Sequence, residues 1–259
     1  MNRTAVGWRG GVLVGAALTL TGCATEKGLA RRVERAHEMD RWTAREVAAT
    51  DLRVDFGGQT ILEGRMWVEI NGDRSRLELS DGATLVFDGD DAWVAPPHAP
   101  APQARFHLRT WPYFLEAPYK LRDPGTILED RERRMLDGAE HHSMRLSFEP
   151  GVGDTPDDWY LLYVDPATHL LEAMAYIVTY GTPLDEAESD PHAIEYDEFT
   201  PIEGVPVPMR WTFRSWNEER GVFGDPLGGV HLSEFEFVPA SQVDFNRPAN
   251  SRRDKLPGE

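Results

Sequence analysis

Histidines and carboxylates are the residues of this sequence that could bind a metal ion or act as a catalytic acid and base. Their spacing indicates which of these roles is possible. His141 and His142 are adjacent. Neighbours on a strand point to opposite faces of a sheet, which is poor geometry for two ligands of one metal ion. Because a turn signal at Asp137-Gly138 comes just before them, we predict that both histidines are solvated. We predict no metal site and no other cofactor.

The acidic residues form short runs. Asp88, Asp90 and Asp91 have part of a calcium-loop pattern, but the spacing differs and no distal glutamate follows, so they predict a hairpin turn. Pairs such as 157–158 and 185–186 could supply a catalytic acid and base. Among 44 acidic residues such pairs are expected by chance on a solvated face.

The sequence has no nucleophile elbow, zinc-protease helix, phosphate loop or dinucleotide fingerprint. We therefore predict no catalytic residue and a non-enzymatic protein. A hydrolase built from dispersed acids and histidines remains an alternative, and it would require these side chains to cluster around a cleft.

Composition excludes several classes of protein. The chain has 259 residues, of which 41% are hydrophobic, enough for one or two domains with a core. A formal net charge of −17 argues against electrostatic binding of nucleic acid or of an anionic membrane face. One cysteine excludes a disulfide framework.

The N-terminus is typical of an export signal. Arg3 and Arg9 precede an uncharged apolar run at 11–21. A membrane-spanning helix needs about 20 apolar residues, so this run is too short for a permanent span.

The apolar run ends in Leu-Thr-Gly followed by Cys23, which resembles the lipobox of bacterial lipoproteins. The resemblance implies that the signal peptide, residues 1–22, is removed and that Cys23 becomes an N-terminus carrying acyl chains such as palmitate. Several acyl chains suffice for lasting membrane attachment. Ala24 stands where an aspartate would mark inner-membrane retention, which implies the periplasmic face of the outer membrane.

The rest of the chain predicts one helix followed by many strands. Apolar residues recur at steps of three and four from Glu26 to Trp42, which predicts an amphipathic helix. Period-two runs between Asp-Gly, Asn-Gly and Gly-Gly turns predict antiparallel hairpins. The predicted strands are 46–56, 60–70, 74–80, 83–88, 91–95, 104–108, 126–136, 143–149, 158–165, 170–180, 192–199, 207–217 and 229–238.

So many strands do not form one flat sheet, so we predict an α+β, mainly β fold. Its antiparallel sheet curls into an incomplete half-barrel, with the N-terminal helix and short helices packed on the concave face. The aromatic segment 109–121 predicts a short helix or a lid. We expect a single domain at 23–245 and a polar, disordered tail at 246–259.

Alternating apolar positions on these strands share one face of the predicted sheet. This face is either a core filled by side chains or a hydrophobic cavity able to hold an acyl chain. The residues predicted to contact lipid are Met66, Val68, Leu77, Leu79, Leu85, Phe87, Tyr176, Val178, Trp211, Phe213, Phe235 and Phe237.

The order of these elements resembles the periplasmic lipoprotein-carrier superfamily that includes LolA, LolB and LppX-like proteins. The segments that carry the resemblance are 62–68, 74–79, 81–87 and 202–208, the last followed by a Trp-Thr-Phe strand. The resemblance implies a half-barrel that binds the acyl chains of lipids or lipoproteins. We therefore expect a membrane-anchored, non-enzymatic lipid or lipoprotein carrier. The alternative is a structural or sensory envelope lipoprotein with a filled core that binds protein partners.

Overall fold

The computed structural model describes residues 22–258, and within this range the chain forms one open antiparallel sheet that curves around helices. The predicted half-barrel is confirmed, since the sheet does not close. The strands are β1 Val47–Phe56, β2 Gln59–Glu69, β3 Ser75–Leu79, β4 Thr84–Phe87, β5 Ala92–Ala95, β6 Thr126–Leu136, β7 Ala139–Phe148, β8 Tyr160–Val164, β9 Leu171–Tyr176, β10 His192–Ile202, β11 Val205–Asn217, β12 Gly221–Val238 and β13 Arg252–Asp254.

The strand order divides the sheet into two meanders. The order is β13-β5-β4-β3-β2-β1-β12-β11-β10-β9-β8-β7-β6, and each neighbouring pair is antiparallel. Strands β1 and β12 join the meanders at the centre, with Leu52 opposite Leu232. Because β5 lies near one edge and β6 forms the other, the chain between them must cross the sheet.

The helices are α1 Gly22–Ala36, α2 Met39–Thr43, α3 Ala104–Glu116 and α4 Leu184–Ala187. The predicted helix 26–42 is therefore two helices, separated at Glu38, whose φ of 58° is left-handed. Glu34 of α1 accepts two hydrogen bonds from Arg122, at 2.6 and 2.5 Å, which fixes α1 to the segment after α3.

Two apolar clusters stabilise the sheet. The larger joins the concave face to α1, α2 and α3 and includes Trp42, Leu108 and Trp211, each at most 1% exposed. The smaller lies on the opposite face beside α4. There Trp216 donates a 2.7 Å hydrogen bond to the Tyr163 hydroxyl, so that both polar groups are satisfied on burial.

The structure corrects two predictions about elements. The strand predicted at 104–108 is the first part of α3, whose buried Ala104, Leu108, Trp111 and Leu115 have helical spacing. The tail predicted to be disordered contains β13, which pairs with β5. The pairing is supported by a 2.6 Å ion pair from Arg253 of the polar β13 to Asp91, the residue before β5.

The predicted signal peptide and lipidation site fall almost entirely outside the described residues. Residues 1–21 are not described, and for Cys23 the description covers its place in α1 but not its side chain. From residue 22 to residue 258, no helix combines the length and the apolar character needed to span a membrane.

Candidate functional site

Helix α3 is fixed on the concave face through two of its backbone carbonyl groups, which Pro112 within the helix and Pro118 just after it leave free. Pro112 has no N–H to donate to Leu108, and the hydroxyl of Ser75 donates to that carbonyl at 2.6 Å instead. Pro118 likewise follows Phe114 by four residues, and the Tyr196 hydroxyl donates to the Phe114 carbonyl at 3.0 Å. Sheet side chains thus set the depth of the helix.

A cavity of about 470 Å³ remains between α3 and the β6–β9 part of the sheet. Its volume falls within the range of about 300–1,000 Å³ typical of small-molecule sites. Most of its wall is apolar or aromatic. The aromatic residues of the wall are Phe106, Tyr113, Phe114, Phe148, Tyr160, Tyr176 and Tyr180.

Charged residues line the cavity from the start of α3 to the segment after it, and each basic side chain among its lining residues has an acidic partner. Arg109 pairs with Asp73. Lys120 Nζ lies 3.8 Å from an Asp123 carboxylate oxygen and 3.7 Å from Glu116, just behind the wall. The lining residue Asp154 receives two hydrogen bonds from the Arg105 guanidinium, at 2.6 and 2.8 Å.

Asp158 differs from these acidic residues in its partners. Its carboxylate accepts hydrogen bonds from hydroxyl groups and a backbone N–H and has no cationic partner among the described residues. It is 6% exposed and lines the cavity. It accepts hydrogen bonds of 2.7 Å from the Thr155 hydroxyl and from both the backbone N–H and the hydroxyl of Thr179. Burial raises the pKa of Asp158 above its ordinary value, against the opposing effect of these bonds.

Glu116 is buried where α3 ends. It is 5% exposed, and its Oε1 has no hydrogen-bond partner among the described groups. Burial raises the pKa of Glu116 to about 8, and the nearby Lys120 ammonium only partly offsets that rise. Glu116 is therefore protonated over much of the range in which other carboxyl groups are charged.

The structure separates the twelve predicted lipid contacts into two groups. Tyr176 and Val178 line the cavity. The others pack in the larger apolar cluster, beneath α1, α2 and α3. They are Met66, Val68, Leu77, Leu79, Leu85, Phe87, Trp211, Phe213, Phe235 and Phe237.

Sequence reasoning missed most of the cavity wall. The aromatic segment 109–121 was the available signal for Tyr113 and Phe114, but nothing in the sequence joined it to Phe148, Tyr160 or Asp158. The sequence predicts a solvated face for the pair 157–158. Asp157 is indeed exposed, whereas Asp158, two residues before β8, is buried.

His141 is also buried, at 2% exposure, which corrects the prediction that it is solvated. Its Nε2 lies 2.7 Å from Glu172, its Nδ1 lies 3.2 Å from the Ala139 carbonyl oxygen, and Asp165 is within 4.8 Å of the cluster. A metal ion could bind there, but the contact between His141 and Glu172 is enough to explain the cluster. We interpret it as a contact that holds β9 to β7.

The other acidic runs lie in turns and short helices. The Asp88 carboxylate accepts hydrogen bonds from the backbone N–H groups of Asp90 and Asp91, at 3.1 and 2.9 Å, as the predicted hairpin turn requires. Asp185 and Glu186 lie exposed in α4. None of these residues lines the cavity.

Comparison with known proteins relates the fold to solved structures. No family model matches the sequence, and neither does any curated protein. A LolA superfamily protein from Nitrosomonas europaea is 11% identical, with a TM-score of 0.53 over 83% of this chain and 94% of that chain. A protein described as an outer membrane lipoprotein-sorting domain, from Vibrio parahaemolyticus, is 9% identical, with a TM-score of 0.52 over 84% and 94%.

A third solved structure extends the similarity. A DUF1329 family protein from Desulfovibrio piger is 10% identical, with a TM-score of 0.51 over 82% of this chain and 92% of that chain. At such identities the likeness establishes the fold alone. The chain has the LolA-like fold, an open antiparallel sheet curved around helices.

Proposed function

We propose that this protein is an exported lipoprotein, acylated on Cys23 and held at the periplasmic face of the outer membrane, that binds an acyl chain of a lipid or lipoprotein. The observation that carries the proposal is the aromatic cavity of about 470 Å³ between α3 and the sheet. The protein acts by binding and release, without catalysis. Its partners are the membrane and the lipid or lipoprotein ligand.

Burial of apolar surface would drive this binding. Each Å² of an acyl chain removed from water contributes on the order of 25 cal/mol. Tyr176 and Val178 belong to the wall that a chain would contact. The cavity also lies on the concave face of a fold shared with a protein described as a lipoprotein-sorting domain.

The position of Cys23 fits an anchor. It lies in the first turn of α1, and Leu29, Ala30 and Val33 of the same helix pack in the larger core. An acyl group on Cys23 would therefore hold the domain within one helix length of the membrane surface. Such an arrangement keeps the cavity close to a source or acceptor of lipid.

The alternative function is a structural or sensory envelope lipoprotein that binds protein partners. One observation favours it, since ten of the twelve predicted lipid contacts do not line the cavity and pack against other side chains in the larger core. The two functions differ in whether the cavity under α3 holds lipid.

The deciding experiment is lipid mass spectrometry on residues 24–259, which carry no acyl group. This segment contains every described buried side chain, the first being Leu29. It would be expressed in a membrane-containing host, purified without detergent and extracted. We expect about one lipid per protein and uptake of a fluorescent fatty acid. An empty protein that also takes up no fatty acid would support the partner-binding alternative.

A further inference from the structure

Three aromatic rings in mutual contact form one wall of the cavity, within electrostatic range of Asp158. The ring centroids of Tyr113 and Tyr160 are 5.1 Å apart, those of Phe148 and Tyr160 are 6.0 Å apart, and those of Tyr113 and Phe148 are 6.3 Å apart. All three residues line the cavity. Aromatic faces carry a negative quadrupole and attract cations.

The polar groups beside these rings also favour a cation. The Tyr113 hydroxyl is buried without a hydrogen-bond partner among the described groups. The charges of both Asp123 and Asp158 raise the pKa of Tyr113, after the larger effect of burial, so both carboxylates lie within electrostatic range of that hydroxyl. A ligand that donates hydrogen bonds or carries positive charge would be favoured by all three groups.

The charge balance of the cavity is negative. Four lining residues are aspartates, and three of them pair with a cation: Asp73 with Arg109, Asp123 with Lys120 and Asp154 with Arg105. Asp158 has no ion-pair partner within the described residues. An anionic headgroup beside Asp158 would meet uncompensated negative charge in a partly desolvated site, where like charges repel strongly.

We propose that Asp158, with Tyr113, Phe148 and Tyr160, binds the cationic nitrogen of an amphiphile, a protonated amine or a quaternary ammonium group. The apolar part of the same cavity holds its hydrocarbon chain. This proposal rests on the proposed function and adds the chemical class of the headgroup. The nitrogen can belong to a simple alkylamine or to a zwitterionic phospholipid, and the test includes both.

The test compares four amphiphiles with the same alkyl length by isothermal titration calorimetry on residues 24–259. They are decyltrimethylammonium, decylphosphocholine, decanoylglycerol and decanoate, each below its micelle concentration in about 0.15 M salt to screen exposed charges. We expect decyltrimethylammonium to bind at one site at least about tenfold more tightly than decanoate, with decanoylglycerol between them. Tight binding of decylphosphocholine would indicate that the nitrogen belongs to a zwitterionic phospholipid. Weak binding of decylphosphocholine would indicate that it belongs to an alkylamine.

Non-specific attraction to an acidic protein needs a matched control. Asp158→Asn removes the buried charge and keeps the acceptor for Thr179. Asp157→Asn removes the same charge from an exposed neighbour that does not line the cavity. We expect Asp158→Asn to abolish most of the preference for ammonium over carboxylate and Asp157→Asn to preserve it. Phe148→Leu, which keeps apolar volume, should weaken the ammonium ligand more than decanoylglycerol.

The outcomes separate the two proposals. If no amphiphile binds, the proposed function fails together with this inference. If all four bind equally, or if decanoate binds most tightly, the lipid-binding function stands and the headgroup inference is wrong. An equal effect of Asp157→Asn and Asp158→Asn would also overturn it, because the preference would then reflect net charge.

Discussion

The hydroxyl of Ser75, on β3, donates a 2.6 Å hydrogen bond to the carbonyl oxygen of Leu108, on α3. The residue four positions after Leu108 is Pro112, which cannot make the helical bond. A strand side chain therefore completes the hydrogen bonding of a buried helix. This contact fixes α3 at a constant distance from one half of the sheet and leaves the cavity on the other half.

We expect Ser75→Ala to lower the free energy of unfolding by about 1–3 kcal/mol, because it leaves the Leu108 carbonyl buried without a partner. Urea denaturation measures the change, with exposed Ser80→Ala as the control. Pro112→Ala restores a backbone N–H. In that background the loss caused by Ser75→Ala should shrink, and an undiminished loss would contradict the role assigned to Pro112.

Val178→Trp should block the cavity and reduce uptake of a fluorescent fatty acid at least about tenfold, since the larger ring occupies the space of the ligand. Ile61→Trp is the matched control, because Ile61 is 51% exposed on β2 and does not line the cavity. Unchanged uptake by the Val178 variant would place the lipid elsewhere.

Leu77→Ala should lower the free energy of unfolding by about 2–5 kcal/mol, because Leu77 is fully buried in the larger core. The fatty-acid affinity of the protein that remains folded should be unchanged. Urea denaturation tests the predicted loss of stability, and fatty-acid binding measured on the same sample tests the predicted affinity. A large loss of affinity at unchanged stability would return Leu77 to the lipid contacts that the sequence predicted.

Glu116→Gln should stabilise the protein in a pH-dependent manner. The pKa of Glu116 is about 8 when folded and 4.5 when free, so the folded state binds the proton more tightly between these values. The stability contribution of this group is fully present below pH 4.5 and is lost as the pH rises towards 8. The variant should exceed the parent by on the order of 1–3 kcal/mol at alkaline pH and match it at acid pH. Thermal denaturation across this range measures the difference, and a constant difference would exclude the titration of Glu116 as its cause.

Cys23→Ala should abolish incorporation of labelled palmitate and membrane attachment, because the acylated thiol is removed. Fractionation of cells expressing the full chain measures both. Asp157→Asn serves as a control because it alters an exposed residue far along the chain from the anchor. Persistent membrane attachment of the cysteine variant would show that another part of the chain binds the membrane.

Local patterns predicted most of the sheet but not its crossing helix. Strands β1 and β2, for example, follow directly from alternation and from the Gly57-Gly58 turn, whose φ angles of 57° and 77° suit glycine. The segment 104–108 fits both periods, since Ala104, Phe106 and Leu108 are apolar at steps of two, and Ala104 and Leu108 also lie four residues apart. The helix forms because this segment must cross the sheet between β5 and β6. That requirement comes from the tertiary structure and is not visible in the local sequence.

Polar contacts between distant segments explain why the remaining sequence predictions differ from the structure. Nothing apolar marks β13, which pairs with β5 through its backbone and an ion pair from Arg253 to Asp91. His141 is buried because Glu172, on another strand, lies against it. The cavity wall has the same origin, since Tyr113 on α3 meets Phe148 and Tyr160 only after the sheet has curved.

The route of the chain through the fold limits how the cavity can open. Helix α3 belongs to the crossing between β5 and β6, at opposite sides of the sheet, so it is tethered at both ends. The Ser75 and Tyr196 hydroxyls also bond to it at two points along its length, so it moves away from the sheet only if both hydrogen bonds break. Admission of a bulkier ligand by movement of α3 therefore costs the exposure of two carbonyl groups that are otherwise satisfied within the core.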